Sequence, residues 1–97
     1  MAKTAGVRLL VRSSILGADP ASQATFVADH GRADAYLRES GVSYVIIRPN
    51  VFMQSVPENT IPSIDTNGNF YINAGNARLS MVDTRDVAAV AAAVLTE

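Results

Sequence analysis

The chain has 97 residues and a mass of 10.3 kDa, which allows one small domain, because a core of this size buries only about two-thirds of the extended-chain surface. Apolar residues make up 48% and charged residues 18%, which excludes a disordered polyelectrolyte and predicts a folded chain. Eight Lys and Arg against nine Asp and Glu leave a net charge of -1, which supplies no sustained positive field to recruit nucleic acid or an anionic membrane.

The chain has no cysteine, so disulfide and thiolate chemistry are absent and the cytoplasm is the expected setting. The first residues, Met1 to Gly6, lack the apolar stretch of a secretory signal, and no run approaches the roughly 20 apolar residues that span a bilayer. A single histidine argues against a structural zinc site, and no metal is expected.

Val7 to Ser13 predicts a strand with Val7, Leu9, Val11 and Ser13 on one face and Arg8, Leu10, Arg12 and Ser14 on the other. Arg8 and Arg12 then share a face, where they either meet an anion or are snorkelling or paired at the sheet end. Asp19-Pro20 reads as a helix opening, with Asp accepting orphan amide hydrogen bonds and Pro standing where no donor is needed. The helix is expected to run to about Ser40, with Phe26, His30, Ala33 and Leu37 on one stripe and Gly41 as its left-handed stop. Ser43 to Arg48 is a continuous β-branched apolar run, suited to a parallel strand covered on both faces and ended by Pro49. Gln54 to Gly68 reads as an irregular excursion, too long to be a mere connection. Phe70 to Ile72 and Leu79 to Val82 predict a small hairpin around Asn73-Ala74-Gly75-Asn76. Asp83 or Thr84 then caps a last helix through Leu95, with Val87, Val90, Ala91 and Val94 as its apolar face. Asp83, Arg85 and Asp86 read more simply as a cap with a surface ion pair than as a charged site. The first three elements form a βαβ unit, so the fold class is α/β with a short parallel sheet, a hairpin and flanking helices.

Several segments, in order, resemble the NmrA-like branch of the atypical short-chain dehydrogenase/reductases. They are Gly6-Val7, Val11 to Ser14, Leu16 to Ala18, Tyr36 to Val42, Tyr44 to Ile47 and Arg48 to Gln54, then Phe70-Tyr71, Ala74-Gly75 and Val82 to Ala88. The resemblance covers nearly the whole chain and implies a partial Rossmann-like fold that binds NADP(H) or NAD(H). Members of that family open with a Gly-rich turn that receives the dinucleotide pyrophosphate, and no such motif stands here. By the family pattern, residues 1–97 are then a single truncated domain, the second half of the nucleotide domain without its Gly-rich first half.

The resemblance also implies where chemistry would sit. Ser14 matches the serine that short-chain dehydrogenases typically carry at the end of the fifth strand, and Phe26-x-x-x-His30 falls at the spacing and location of their Tyr-x-x-x-Lys pair. Phe26 has no proton to give, and Lys3 is the chain's only lysine, so the usual acid/base pair is missing and no catalytic residue is assigned. His30 either contacts a ribose hydroxyl or shuttles a proton, or is a hydrogen-bonded helix residue between Phe26 and Ala33. Ser13 and Ser14 either face a cofactor or satisfy groups where a strand enters a loop. Pro49, Asn50 and Phe52 pass beside the nicotinamide in the family, or else form a turn followed by packing. The candidate cofactor-facing set is therefore Ser13, Ser14, His30, Pro49, Asn50 and Phe52.

Two functions follow as expectations. One is an NAD(P)-binding relative of NAD(P)H-dependent oxidoreductases without the standard dehydrogenase reaction, with a companion chain as a source of the first half. The other is a non-enzymatic module that self-associates, as a homodimer or larger, through the uncovered edge of its first strand. A third possibility is a fragment with no activity of its own.

Overall fold

The computed structural model describes residues 4–72 and 75–96. Two four-residue strands, β1 (Leu10–Ser13) and β2 (Tyr44–Ile47), pair in parallel with Leu10 opposite Tyr44 and Ser13 opposite Ile47. Parallel neighbours need a long crossover, and α1 (Thr25–Glu39) supplies it. The backbone pairing outlasts the strands: Ser14 N donates to Ile47 O at 2.7 Å and Leu16 N to Pro49 O at 3.0 Å. The two chain segments therefore leave the sheet side by side.

Alternation along the strands sorts the faces. Arg12 and Ser14 reach α1, while Ile47 shares a small cleft with Val87 and Val90 of α3 (Thr84–Thr96) on the other side. Beyond β2 the chain forms a single parallel bridge, Phe52 with Val82, with Val82 N donating to Val51 O at 3.0 Å and Met53 N to Val82 O at 2.9 Å. A short helix, α2 (Ser55–Thr60), and a 3-10 turn at Ile61–Ser63 follow it. Pro57 is tolerated in α2 because amides of a first helical turn have no intrahelical partner to lose. The result is an α/β, partial Rossmann-like arrangement with a two-stranded sheet.

Several expectations need correction. The first strand begins at Leu10, not Val7. The helix begins at Thr25 because Asp19 and Pro20 form a turn of their own, in which Asp19 Oδ1 accepts from Ala21 N at 2.9 Å and Asp19 O from Ser22 N at 3.1 Å. That turn lies so close to Gly31 that a Cβ there would stand 2.3 Å from the Asp19 carbonyl carbon and the Pro20 nitrogen. Asp19-Pro20 thus packs against the helix instead of opening it. The buried face of α1 is Ala28, Gly31, Asp34 and Leu37, so of the expected stripe only Leu37 is buried, while Phe26 is 66% exposed. Gly41 does hold the left-handed conformation, at φ 79°.

The expected hairpin is not formed among the described residues. Phe70 to Ile72 and Leu79 to Met81 are not strands, and Val82 pairs in parallel with Phe52, which uses up its amide and carbonyl. Of the expected turn, Asn73 and Ala74 lie outside the described residues. The excursion from Gln54 is partly helical, as α2 and the 3-10 turn. At α3, Asp83 is the cap: its Oδ1 accepts from Arg85 N at 2.8 Å, and its carboxylate pairs with the Arg85 guanidinium at 2.6 Å.

The apolar core is thin. Among the described residues Ala28 and Leu37 are its buried members, and the radius of gyration is 17.2 Å where a compact 97-residue chain has about 12.5 Å.

Candidate functional site

A cleft of about 340 Å³ opens at the carboxyl ends of β1 and β2. Its walls come from the segments that leave the two strands: Ile15 and Leu16 after β1, and Pro49 through Phe52 after β2. Phe26 from the start of α1 closes one side, and Ser55 and Asn59 from α2 add polar atoms at another. The position follows from the parallel pairing, since open α/β sheets receive ligands outside the carboxyl ends of their strands. Most of the lining is apolar, with Phe26 and Phe52 as flat surfaces and a few polar groups to orient a guest.

Of the six candidate residues, Pro49, Asn50 and Phe52 line this cleft. Ser13 ends β1 and is exposed, away from the lining. Ser14 is 3% exposed and donates its hydroxyl to Asp34 Oδ2 at 2.7 Å, so its proton is committed inside the protein. His30 stands one turn below Phe26, their rings edge to face with centroids 4.8 Å apart, and its Nδ1 accepts from Arg12 Nη2 at 2.9 Å.

The cluster beneath the cleft centres on Asp34, which the sequence reading missed. Its side chain is fully buried on α1 and receives Arg12 Nε on Oδ1 at 2.8 Å, with Ser14 Oγ and, at 3.2 Å, Arg48 Nη2 on Oδ2. Burial opposes ionisation, but the hydrogen bonds from Ser14, Arg12 and Arg48 outweigh it and hold the carboxyl below its ordinary value. The cluster ties α1 to the ends of both strands, so it fixes the frame from which the cleft walls depart. A signal for it was present: Arg12, Ser14 and Arg48 share the α1 side of the sheet, and arginines under a helix require a buried acid. Arg12 is thus paired at the sheet end, one of the two readings open to it.

At the far side, Gln54 bridges the start of α2 to the start of α3, donating to Asp83 Oδ1 at 2.8 Å and accepting from Thr84 N at 3.1 Å. Asp83 is held well below the usual carboxylate range, first by the Arg85 side chain and then by the Arg85 amide and Gln54. Among the described residues there is no group of three or more His, Cys, Asp or Glu that could hold a metal ion. Nor is any of their helices long and apolar enough to cross a membrane.

With this geometry established, the sequence matches the NAD(P)H-binding family over residues 1–97. The chain belongs to the NAD(P)H-binding family. It is 36% identical over 96 residues to an NAD(P)H azoreductase of Xenophilus azovorans, covering 99% of this chain and 33% of that protein. It is 37% identical over 99 residues to a (4-alkanoyl-5-oxo-2,5-dihydrofuran-3-yl)methyl phosphate reductase of Streptomyces griseus subsp. griseus, covering 98% of this chain and 34% of the relative. The chain therefore spans about a third of the length of the curated relatives it matches. No solved structure matches it significantly. The family's cofactor is NAD(P)H.

Proposed function

We propose that this chain carries the nicotinamide-facing part of an NAD(P)H-dependent reductase of the NmrA-like branch, and that the cleft beside Pro49, Asn50 and Phe52 receives the nicotinamide end. The observation that carries the reading is the coincidence of three candidate residues in one apolar cleft at the carboxyl ends of parallel strands, in a chain of the NAD(P)H-binding family. Its volume suits one ring with its ribose rather than a whole dinucleotide. When bound, the cofactor supplies a hydride. The chain's own residues bind and orient: Phe26 and Phe52 give flat apolar walls that exclude water, and Asn50, Ser55 and Asn59 offer polar atoms for a carboxamide or ribose. Phe26 and His30 stand where short-chain dehydrogenases typically have their Tyr and Lys, so the standard dehydrogenase proton relay does not operate through this helix. A chain without cysteine fits a reducing, cytoplasmic setting.

The test is an NMR titration of the chain with NADPH and, separately, NADH. Saturable shifts clustered on Leu16, Phe26 and Asn50 to Phe52 are expected. Shifts confined to other surfaces, or none with either nucleotide, would overturn the reading.

A second reading is favoured by a different observation, the exposure of Phe70, Tyr71, Ile72, Leu79 and Met81 on a chain with a thin core. Apolar surface of that kind gains from being covered, and a second copy of the chain is the cover proposed here, with no catalytic role required. Light scattering across a concentration series separates it: a mass that stays at one chain sinks it.

A further inference from the structure

The Asp34 cluster extends toward the cleft through one side chain. Arg12 places its Nε on Asp34 and its Nη2 on His30 Nδ1, so one guanidinium spans the buried carboxylate and the imidazole. Arginine keeps its protons throughout the working pH range and has no acceptor, so it only donates. Nδ1 must present its lone pair to it, which leaves the imidazole's single proton on Nε2. The direction of this bond is set by anchored groups. Arg12 is in register on β1, and Asp34, fully buried on α1, holds the inner side of its guanidinium. The His30 ring stands edge-on to Phe26, with an interplanar angle of 76°, and Phe26 is a wall of the cleft.

We propose that Arg12 is a positioning residue that locks His30 as an Nε2–H donor behind the Phe26 wall, from which it reaches an acceptor oxygen of a ligand seated in the cleft. The ligand half of this statement rests on the NAD(P)H reading of the cleft, whereas the tautomer does not. The acceptor is expected to be a ribose or carboxamide oxygen, the groups that the nicotinamide end presents. Arg12 and Arg48 together face the single carboxylate of Asp34, and the excess of positive charge around the donor favours an electron-rich oxygen there. The arrangement also selects against groups: a ligand that offers only a donor at this position leaves Nε2–H opposed and is rejected.

His30 is the only histidine in the chain, so one set of imidazole resonances reports on it without assignment. Long-range nitrogen–proton NMR of the folded chain is expected to show an unprotonated Nδ1 and a protonated Nε2. Arg12→Lys keeps a cation for Asp34 but lacks the fork that reaches both partners, and is expected to mix the two tautomers while the backbone spectrum stays dispersed. Arg12→Met, if folded, is expected to do the same more completely. A wild-type Nδ1–H tautomer, or an Arg12→Lys spectrum identical to wild type, overturns the lock.

For the ligand half, NADPH affinity is compared in His30→Leu and His30→Gln. Leucine is expected to weaken binding by about 10-fold, the scale of one hydrogen bond. Glutamine, which accepts from Arg12 with Oε1 and donates with Nε2, is expected to recover it. Wild-type binding with both variants equal overturns this proposal alone, whereas no binding by wild type overturns the cleft reading and the ligand half with it.

Discussion

The corner where α1 meets the strand ends and the stretch from Ile61 to Met81 are built on opposite terms. In the corner a buried carboxylate collects two arginines and a serine, and the Asp19-Pro20 turn sits against a helix glycine with no room for a methyl group. In the stretch, Ile61, Phe70, Tyr71, Ile72 and Leu79 are exposed, and the hydrogen bonds are local, such as Asp65 accepting from Asn67 N and Asn69 N at 2.9 Å. Neither is a large hydrophobic core. The difference teaches that this chain's specificity of form comes from polar geometry at one end, while its other end leaves large apolar side chains exposed.

That contrast can be broken or sharpened by mutation. The largest effect is expected at Asp34→Ala, which strands two partly buried arginines and is expected to cost about 3–5 kcal/mol, read as the urea midpoint. The same residue predicts the acid limb. Its folded carboxyl lies below the ordinary value of 3.8, so its contribution is complete above that value and is withdrawn as pH falls through the lower folded one. Any folded Asp34→Ala should show a flatter stability profile below pH 3.8 than wild type. An equal slope in both proteins would place the acid sensitivity at another carboxylate. Asp65 and Asp83 are also depressed, the first mainly by the Asn69 amide and the second by Arg85.

Gly31→Ala comes next, at about 1–3 kcal/mol of net loss in thermal melts, because the new methyl would strike backbone atoms of Asp19 and Pro20 that cannot rotate away. A gain, as helix propensity alone predicts, would mean that the turn is not held against α1. The smallest effect belongs to the open stretch. Ile72→Ser, at a side chain 77% exposed, is expected to change stability by less than about 0.5 kcal/mol in the same melts. A larger loss would show that the stretch is packed in solution.

The parts of this structure that were legible in sequence are those governed by short-range rules. The β-branched run around Val45 and Ile46 is a strand, Gly41 turns left-handed after α1, and Asp83 caps α3. The cleft was legible in half: Pro49, Asn50 and Phe52 line it, while Ser14 faces inward. What escaped was long-range. Periodicity favours Phe26 and His30 over Gly31 and Asp34 as inward residues because they are larger and less polar, yet the helix turns its small and acidic residues to the sheet, where arginines wait. The hairpin failed for a similar reason. Turn-forming residues near Gly75 say nothing of Phe52, whose neighbours take the backbone groups of Val82 from more than twenty residues away.

The clasp of Gln54 on Asp83 and Thr84 has a consequence for engineering. Together with the Phe52–Val82 bridge it pins both roots of the intervening segment to one spot, like the two hinges of a removable panel. Closing a longer panel is cheap, about 0.6 kcal/mol for each doubling of length. New sequence can therefore be grafted between those roots while the frame around Asp34 keeps its shape.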